Sequence, residues 1–201
     1  MSTSASVYDP KADLRRYLDI ARDVLLWKLD GLSEYDIRRP LTPTGTNLLG
    51  LVKHVAGVEI GYFGDVFSRP FGESFPWLTG DAGPNADLWA TPDESRADIT
   101  GLYGRVRAHS DATIAALPLD AAGRVPWWPE DRAVLTLHRA LVHVTTEIHR
   151  HAGHADIVRE LIDGAAGLRP DADNLPDGGA DWWTAHHDRV ERAARQAPDG
   201  R

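Results

Sequence analysis

Hydrophobic residues recur with a helical period along most of the chain. Four long segments carry apolar residues three or four positions apart, which is the spacing of one face of an α-helix. We expect these helices to span Pro10–Asp30, Asn47–Phe67, Pro92–Leu117 and Leu135–Asp163. No segment shows the alternation that is typical of a half-buried β-strand. The pattern therefore predicts an all-α fold in which four helices form an antiparallel bundle.

Local signals predict where these helices begin and end. Asp9 stands before a proline and predicts the N-cap of the first helix. Thr46 is the predicted N-cap of the second helix. Thr91, followed three residues later by a glutamate, predicts a capping box for the third helix. Gly164 is expected to end the fourth helix.

The chain divides into a bundle and a C-terminal extension. We assign residues 1–165 to the four-helix bundle, including a long loop over 68–90 that contains prolines and tryptophans. Residues 166–201 are rich in proline, glycine and aspartate, with a short helix near Ala180–Ala194. We expect this extension to dock on the bundle and to fray at its end.

The second predicted helix contains an unusual number of glycines. Each glycine inside a helix costs about 1 kcal/mol relative to alanine. Their recurrence on one helix indicates that a neighbouring helix or a ligand approaches the backbone closely, although local tolerance of glycine is the alternative. The glycines are Gly50, Gly57, Gly61 and Gly64.

Composition and charge narrow the classes of function. The chain has 201 residues and a net charge of −8 without a basic stripe, which argues against a nucleic-acid partner. No apolar run is long enough for a membrane span, and Met1–Tyr8 lacks the features of a signal peptide. We therefore expect a cytoplasmic protein without a membrane partner.

The chain contains no cysteine. Disulfides, thiolate metal ligands and a cysteine nucleophile are therefore excluded. Any thiol chemistry requires a thiol that arrives with a substrate or cofactor. Any metal ion must be bound by histidine, aspartate or glutamate, which suits Zn²⁺ or another first-row divalent ion.

Histidine and glutamate side chains converge on one face of the fourth predicted helix. Glu147 and His151 lie one turn apart, and His154 follows three residues later on the same side. His54 lies at the edge of the apolar stripe of the second predicted helix. Polar groups buried without partners are costly, so their position beside the core favours a metal site. Three protein ligands with an open position are typical of a catalytic site.

Each of these signals also has a simpler interpretation. A single histidine on an apolar face, such as His54, is more often a hydrogen-bonded core residue than a ligand. A glutamate four residues before a histidine also occurs as an ordinary surface pair. For His154 two roles remain open. It either contacts the substrate or a ligand without binding the metal, or it binds the metal in place of one of the three candidate ligands.

Two segments of the sequence resemble motifs of a known family. The stretches Leu48–Glu59 and Thr136–Glu160 are similar to the second-helix and fourth-helix motifs of the DinB/YfiT-like superfamily. The best likeness is to its actinobacterial branch, which includes mycothiol-dependent enzymes such as maleylpyruvate isomerase. The resemblance covers roughly residues 10–165 and implies a four-helix bundle in the order up-down-down-up.

The resemblance also implies a divalent metal, Zn²⁺ in the first place and Ni²⁺ as the alternative. Many members of the superfamily use three histidines as ligands. The mycothiol-linked branch is similar in having histidine, glutamate and histidine, which correspond to His54, Glu147 and His151. Where three-histidine members continue with a glutamine, this chain has His154, so the motif does not fix the role of that residue.

Members of this superfamily are proposed to be metal-dependent transferases for low-molecular-weight thiols. The resemblance therefore implies that a metal-activated thiol, such as mycothiol, attacks an electrophile. In this interpretation His154 and Arg159 are candidate catalytic residues, while Trp127, Trp128 and Asp156 are candidates for binding the cosubstrate. For Arg159, a surface salt bridge is an equally strong alternative.

Two other functions remain open at this point. A metal-dependent hydrolase would use the same open position to activate water. The alternative that is not an enzyme is a helical bundle that binds a metal or a small molecule without catalysis. The expected partners are a small-molecule thiol and an electrophile, and the resemblance also allows a homodimer.

Overall fold

Seven α-helices account for most of residues 9–198, which are the residues that the computed structural model describes. The all-α prediction is thereby confirmed. The expectations for residues 1–8 and for the frayed end of the chain fall on residues outside this range. The helices are α1 (Pro10–Trp27), α2 (Glu34–Arg38), α3 (Leu48–Glu59), α4 (Pro76–Thr79), α5 (Arg96–Ala116), α6 (Leu137–Asp163) and α7 (Ala180–Gln196).

Two of the predicted helix ends are confirmed. The side chain of Asp9 accepts hydrogen bonds from the backbone amides at the start of α1. Gly164 follows α6 with φ of +80°, the left-handed conformation that favours glycine after a helix. The Thr46 prediction was wrong by one residue, because the neighbouring Asn47 is the N-cap of α3. The Asn47 side chain accepts a hydrogen bond from the amide of Gly50.

The capping box predicted at Thr91 was wrong. The amide of Thr91 does donate to the carboxylate of Glu94, but only a turn forms there. The guanidinium of Arg38 binds the carbonyl oxygens of both residues, and the Thr91 oxygen also accepts the amide of Glu94 within this turn. The capping box of α5 is instead formed by Ser95 and Asp98.

A small β-hairpin precedes α6, so the expectation of a chain without strands was wrong. Strands β1 (Ala122–Arg124) and β2 (Val134–Thr136) pair antiparallel, with Gly123 opposite Leu135. Each strand has three residues, which is too short to produce a recognisable alternation of polar and apolar residues. The hairpin anchors the ends of the loop that carries Trp127.

Helix α3 lies in the centre of the bundle. It packs against α5 and α6, while α1 packs along α6. Every residue of α3 is buried except His54 and Val58, which are half-buried. The helix continues through a π-helical turn (Ile60–Gly64) and a 3₁₀ turn (Asp65–Phe67). The order up-down-down-up of the four long helices stays a prediction.

A buried ion pair connects α1 to α3. Arg22 and Glu59 are fully buried, and Arg22 Nε donates to Glu59 Oε1 over 2.9 Å. The hydroxyl of Tyr103 on α5 also donates to Glu59 Oε1 over 3.1 Å. Burial alone would lower the pKa of Arg22, but the attraction and hydrogen bonds of Glu59 raise this pKa above its ordinary value. Arg22 therefore stays charged inside the bundle.

The C-terminal tail is bound to the bundle where it leaves α6. Lys28 Nζ donates to the carbonyl oxygen of Gly167, and Trp27 Nε1 donates to that of Leu168. Helix α7 contains no buried residue, and its docking on the bundle stays a prediction. Among the described residues, no helix combines the length and apolar character that crossing a membrane requires.

The substitution Glu59→Gln should lower the free energy of unfolding by about 3–5 kcal/mol, because it leaves the buried Arg22 without its main carboxylate partner. Glu73 offers a matched control, since it pairs with Arg105 on the exposed surface. Glu73→Gln should cost no more than about 1 kcal/mol. Denaturant unfolding measures both values. Equal losses for the two variants would contradict a special role for the buried pair.

Candidate metal centre

Helices α3 and α6 bring together His54, Glu147 and His151. Among the described residues, these three offer ligand atoms that all lie within 4.8 Å of one another. His151 Nε2 lies 2.9 Å from Glu147 Oε1, and His54 Nε2 lies 3.8 Å from the same oxygen. The two imidazole rings meet edge to face, with centroids 4.6 Å apart. The three side chains that were selected from the sequence therefore form one cluster.

The cluster follows from the position of each residue beside an apolar stripe. On α6, Val144 and Ile148 are fully buried, and Glu147 and His151 lie along the border of that face. His54 is half-buried on an otherwise buried helix. The backbone packing of the two helices thus directs all three side chains into the crevice between them.

The electrostatics of the cluster favour the charged form of Glu147 and the neutral form of His151. Burial opposes ionisation of Glu147, but the hydrogen bond and charge of His151, together with Arg150 and His54, lower the pKa of Glu147 overall. Burial and the neighbouring His54 lower the pKa of His151. A carboxylate beside a neutral imidazole is the protonation state that binding to a metal ion requires.

Asp87 is part of the site, although the sequence did not identify it. Its Oδ2 lies 2.6 Å from Nδ1 of His54. A carboxylate at this nitrogen fixes the tautomer in which Nδ1 carries the proton and Nε2 presents a lone pair to the cluster. Asp87 comes from the long loop between α3 and α5, where spacing carries no information about spatial neighbours.

His154 lies beside the cluster and contacts His151. Nδ1 of His154 is 3.3 Å from Nδ1 of His151, whereas Nε2 of His151 faces Glu147. One of the two Nδ1 atoms must donate and the other accept. The side chain of His154 is exposed and also lines the larger of the two clefts at the site.

Two clefts meet at His54. We call the larger one the polar cleft; it has a volume of about 640 Å³ and contains the cluster itself. We call the smaller one the tryptophan cleft; it has a volume of about 450 Å³. Outside the cluster, the polar cleft is lined by both polar and apolar residues. The polar ones are Arg38, Thr44, Thr46, Asn47, Asn85, Arg150 and His154, and the apolar ones are Pro40, Leu51, Leu88 and Trp89. The tryptophan cleft is lined by Gly57, Val58, Gly61, Tyr62, Leu78 and Trp127, with Asp65 and Asp87 beside them.

The two tryptophans singled out from the sequence have different positions. Trp127 lines the tryptophan cleft, and about half of its surface is exposed. Trp128 packs against the rings of Tyr62 and His143. The guanidinium of Arg139 lies over the ring of Trp128. Only Trp127 therefore has access to a ligand in this cleft, while Trp128 supports the packing around it.

The structure does not bring Arg159 and Asp156 to either cleft. Arg159 is buried, binds Asp163 through two nitrogens and donates to the carbonyl oxygens of Lys28 and Asp30. It thereby satisfies backbone groups at the end of α1. Asp156 binds Lys28 Nζ and the amide of Gly167. These contacts explain both residues without a ligand, so their proposed functional roles receive no support from the geometry.

Glycines of α3 and of the π-helical turn that follows it make room for the segments that form the site. A Cβ atom at Gly50 would overlap the carbonyl oxygen of Leu88, the residue after Asp87. A Cβ atom at Gly57 would lie 3.1 Å from Trp77 and Leu78, and one at Gly61 would lie 2.8 Å from Trp127. The expected close approach is therefore confirmed at three of the glycines. Its partner is a helix, the short α4, only at Gly57, whereas Gly50 and Gly61 meet loop residues.

The fold and the cluster define a helical bundle with a candidate metal site of histidine, glutamate and histidine. Comparison with family models gives a match to the Mycothiol-S-transferase family over residues 13–164, about three quarters of the chain. The protein therefore belongs to the mycothiol-S-transferase family, which confirms the resemblance seen in the sequence and supports a function of this kind. Comparison with curated proteins gives no match.

Gly50→Ala should displace the loop that carries Asp87. The added methyl group overlaps backbone atoms of Leu88, which cannot move without the loop, and overpacking of this kind costs about 1–3 kcal/mol. Denaturant unfolding should show the loss of stability, and hydrogen exchange should become faster over residues 85–90. Gly104→Ala on α5 is the control, because a methyl group there meets no atom within 4 Å. Unchanged exchange in Gly50→Ala would contradict the close approach.

Proposed function

We propose that this protein is a divalent-metal-dependent S-transferase that attaches mycothiol to an electrophile. The observation that carries the proposal is the cluster of His54, Glu147 and His151 in a member of the mycothiol-S-transferase family. Zn²⁺ is the proposed metal and Ni²⁺ the alternative. The absence of cysteine from the chain is consistent with the proposal, because the reacting sulfur then comes from the substrate.

The donor set fits such an ion. Zinc binds imidazole nitrogen and carboxylate oxygen at about 2.0–2.2 Å, so two donors at tetrahedral angles lie about 3.3 Å apart. The observed separations of 2.9 and 3.8 Å from Glu147 Oε1 to the two imidazole nitrogens lie on either side of this value. Three protein donors leave a position for a substrate atom.

When bound, the metal would supply the positive charge that lowers the pKa of a thiol and makes it a nucleophile near neutral pH. In the overall reaction the thiol loses its proton and its sulfur forms a bond to an electrophilic carbon. The leaving group departs with the electron pair of the bond that breaks. The charge of Glu147 would offset part of the charge of the cation, so the thiolate would be more nucleophilic than with three neutral imidazole ligands.

The residues around the cluster keep the donor atoms in position. Asp87 accepts the Nδ1 proton of His54, which leaves Nε2 as the donor atom. When His151 binds a metal through Nε2, its Nδ1 carries a proton and donates to His154 Nδ1. The proton of the neutral His154 ring is then on Nε2, which can donate a hydrogen bond to a molecule in the polar cleft.

The zinc-reconstituted protein should contain about one ion per chain and should accelerate the reaction of mycothiol with chlorodinitrobenzene. His151→Ala should lose both the metal and the activity, because it removes the most buried of the three donors. Elemental analysis measures the metal, and the absorbance of the aryl thioether measures the transfer.

His138→Ala is the control for this experiment, since His138 is an exposed histidine of the same helix. It should retain the metal content and the rate of the unchanged protein. Full metal content in His151→Ala would contradict the ligand assignment. A metal-loaded protein that leaves mycothiol unreacted but cleaves esters would favour the hydrolase instead.

Asp87→Asn should weaken zinc binding by about 10- to 100-fold, because the amide no longer holds the proton of His54 as a carboxylate does. Competition with a zinc-binding dye measures the dissociation constant. Asp93→Asn is the control, since Asp93 is an exposed aspartate that follows the same loop. Identical zinc affinity in the two variants would show that Asp87 does not support the site.

A further inference from the structure

We propose that the two clefts hold the two substrates of the transfer separately. The polar cleft takes the hydroxyl-rich thiol carrier, and the tryptophan cleft takes an apolar electrophile that is uncharged or cationic. This assignment rests on the proposed function and adds to it the chemical class of the electrophile. The argument comes from the shared wall of the clefts and from the side chains that line each of them.

His54 is the shared wall of the two clefts. Glu147 and His151 line the polar cleft, while Asp87 lines the tryptophan cleft, and His54 lines both. Its Nδ1 is bound to Asp87 and its Nε2 faces Glu147. The two clefts are therefore adjacent at His54, beside the cluster. Such adjacency is necessary for a bond between two separately bound substrates.

The polar cleft suits a thiol attached to a sugar. Apolar residues form part of its wall, but it differs from the tryptophan cleft in also having two guanidinium groups and several uncharged polar side chains. The guanidinium groups belong to Arg38 and Arg150, and the uncharged polar residues are Thr44, Thr46, Asn47 and Asn85. These groups can donate to sugar hydroxyls, and those of Thr44, Thr46 and Asn85 can also accept. Mycothiol carries its cysteinyl thiol on two hydroxyl-rich rings without an ionised carboxylate. A volume of about 640 Å³ is within the range of sites for ligands of drug size.

The tryptophan cleft suits a flat, apolar group. Its floor includes Gly57 and Gly61, which present backbone without a side chain, and its side includes the exposed ring of Trp127. An aromatic ligand can pack against such a ring at a favourable distance. The carboxylates of Asp65 and Asp87 also face this cleft, and no lysine or arginine is among the described residues that line it. A negatively charged electrophile would therefore be repelled.

The width of the tryptophan cleft depends on the same glycines. A methyl group at Gly61 would reach within 2.8 Å of the Trp127 ring and displace it. A methyl group at Gly57 would reach within 3.1 Å of Trp77 and Leu78, which lie on the opposite side. The loops on both sides thus rest directly on the helix backbone, and their side chains set which electrophiles fit.

The absence of native cysteine allows each cleft to be blocked separately. Thr44→Cys is exposed in the polar cleft, and Leu78→Cys is partly exposed in the tryptophan cleft. Each zinc-loaded variant is labelled with a bulky maleimide and compared with its unlabelled form. The assay joins mycothiol to chlorodinitrobenzene: the sulfur bonds to the ring carbon, chloride leaves and the thiol proton is released.

Labelled Leu78→Cys should raise the KM for chlorodinitrobenzene about 10-fold or more and leave the KM for mycothiol within about twofold. Labelled Thr44→Cys should show the opposite pattern. Trp127→Ala provides a second variant without a label, and its KM should rise for chlorodinitrobenzene alone. Calorimetry of mycothiol binding to each labelled protein gives a readout that does not depend on turnover, and only labelled Thr44→Cys should bind mycothiol more weakly.

The cleft assignment would be overturned if the Leu78→Cys label raised the KM for mycothiol and the Thr44→Cys label that for chlorodinitrobenzene, or if both labels raised the KM for the same substrate. The transferase function would still stand in either case. Failure of the unlabelled zinc protein to transfer or bind mycothiol would overturn the proposed function and the assignment with it. These two failures are distinguishable, because the first occurs in an active enzyme.

Discussion

The site depends on one constraint: helix α3 is covered on all sides, by helices on one side and by loops on the other. Loops can cover a helix this closely only where the helix has no side chains. Gly50 and Gly57 of α3 and Gly61 of the π-helical turn after it provide those places. The loops that carry Asp87 and Trp127 and the short helix α4 with Trp77 rest on them. The helix backbone is thereby the common support for the ligand His54 and for the walls on both sides of it.

The buried charges distinguish the structural part of the bundle from the candidate site. Arg22 and Lys53 each face a carboxylate, at Glu59 and Glu94 respectively, so these groups compensate one another. Glu147 is different, because its nearest contact is Nε2 of His151, a histidine with a lowered pKa, and the arginine beside it, Arg150, is exposed and 3.7 Å away. A carboxylate without a buried cationic partner has capacity for a metal ion, whereas the carboxylates paired with Arg22 and Lys53 are already compensated.

The sequence was informative where the relevant spacing was local. Glu147 and His151 are one helical turn apart, so their common face followed from helical geometry alone. Asp87 comes from an irregular loop and reaches a histidine that is distant in sequence, and no periodicity describes that contact. Distant contacts also occur at the predicted capping box, where Arg38 binds the carbonyl oxygens of Thr91 and Glu94, and no local pattern describes them.

Helices carry the candidate metal ligands, whereas other segments form much of the substrate clefts, and this difference affects substrate specificity. The three candidate ligands lie on α3 and α6, whose positions are fixed by a packed core. The residues that would contact an electrophile, such as Leu78 and Trp127, lie outside the long helices of the bundle. Substitutions there change the cleft without moving the ligands, since loops tolerate change better than a core does. Asp87 is the exception, because it belongs to a loop and yet orients a ligand, so a change in that loop would alter the substrate cleft and the metal site together.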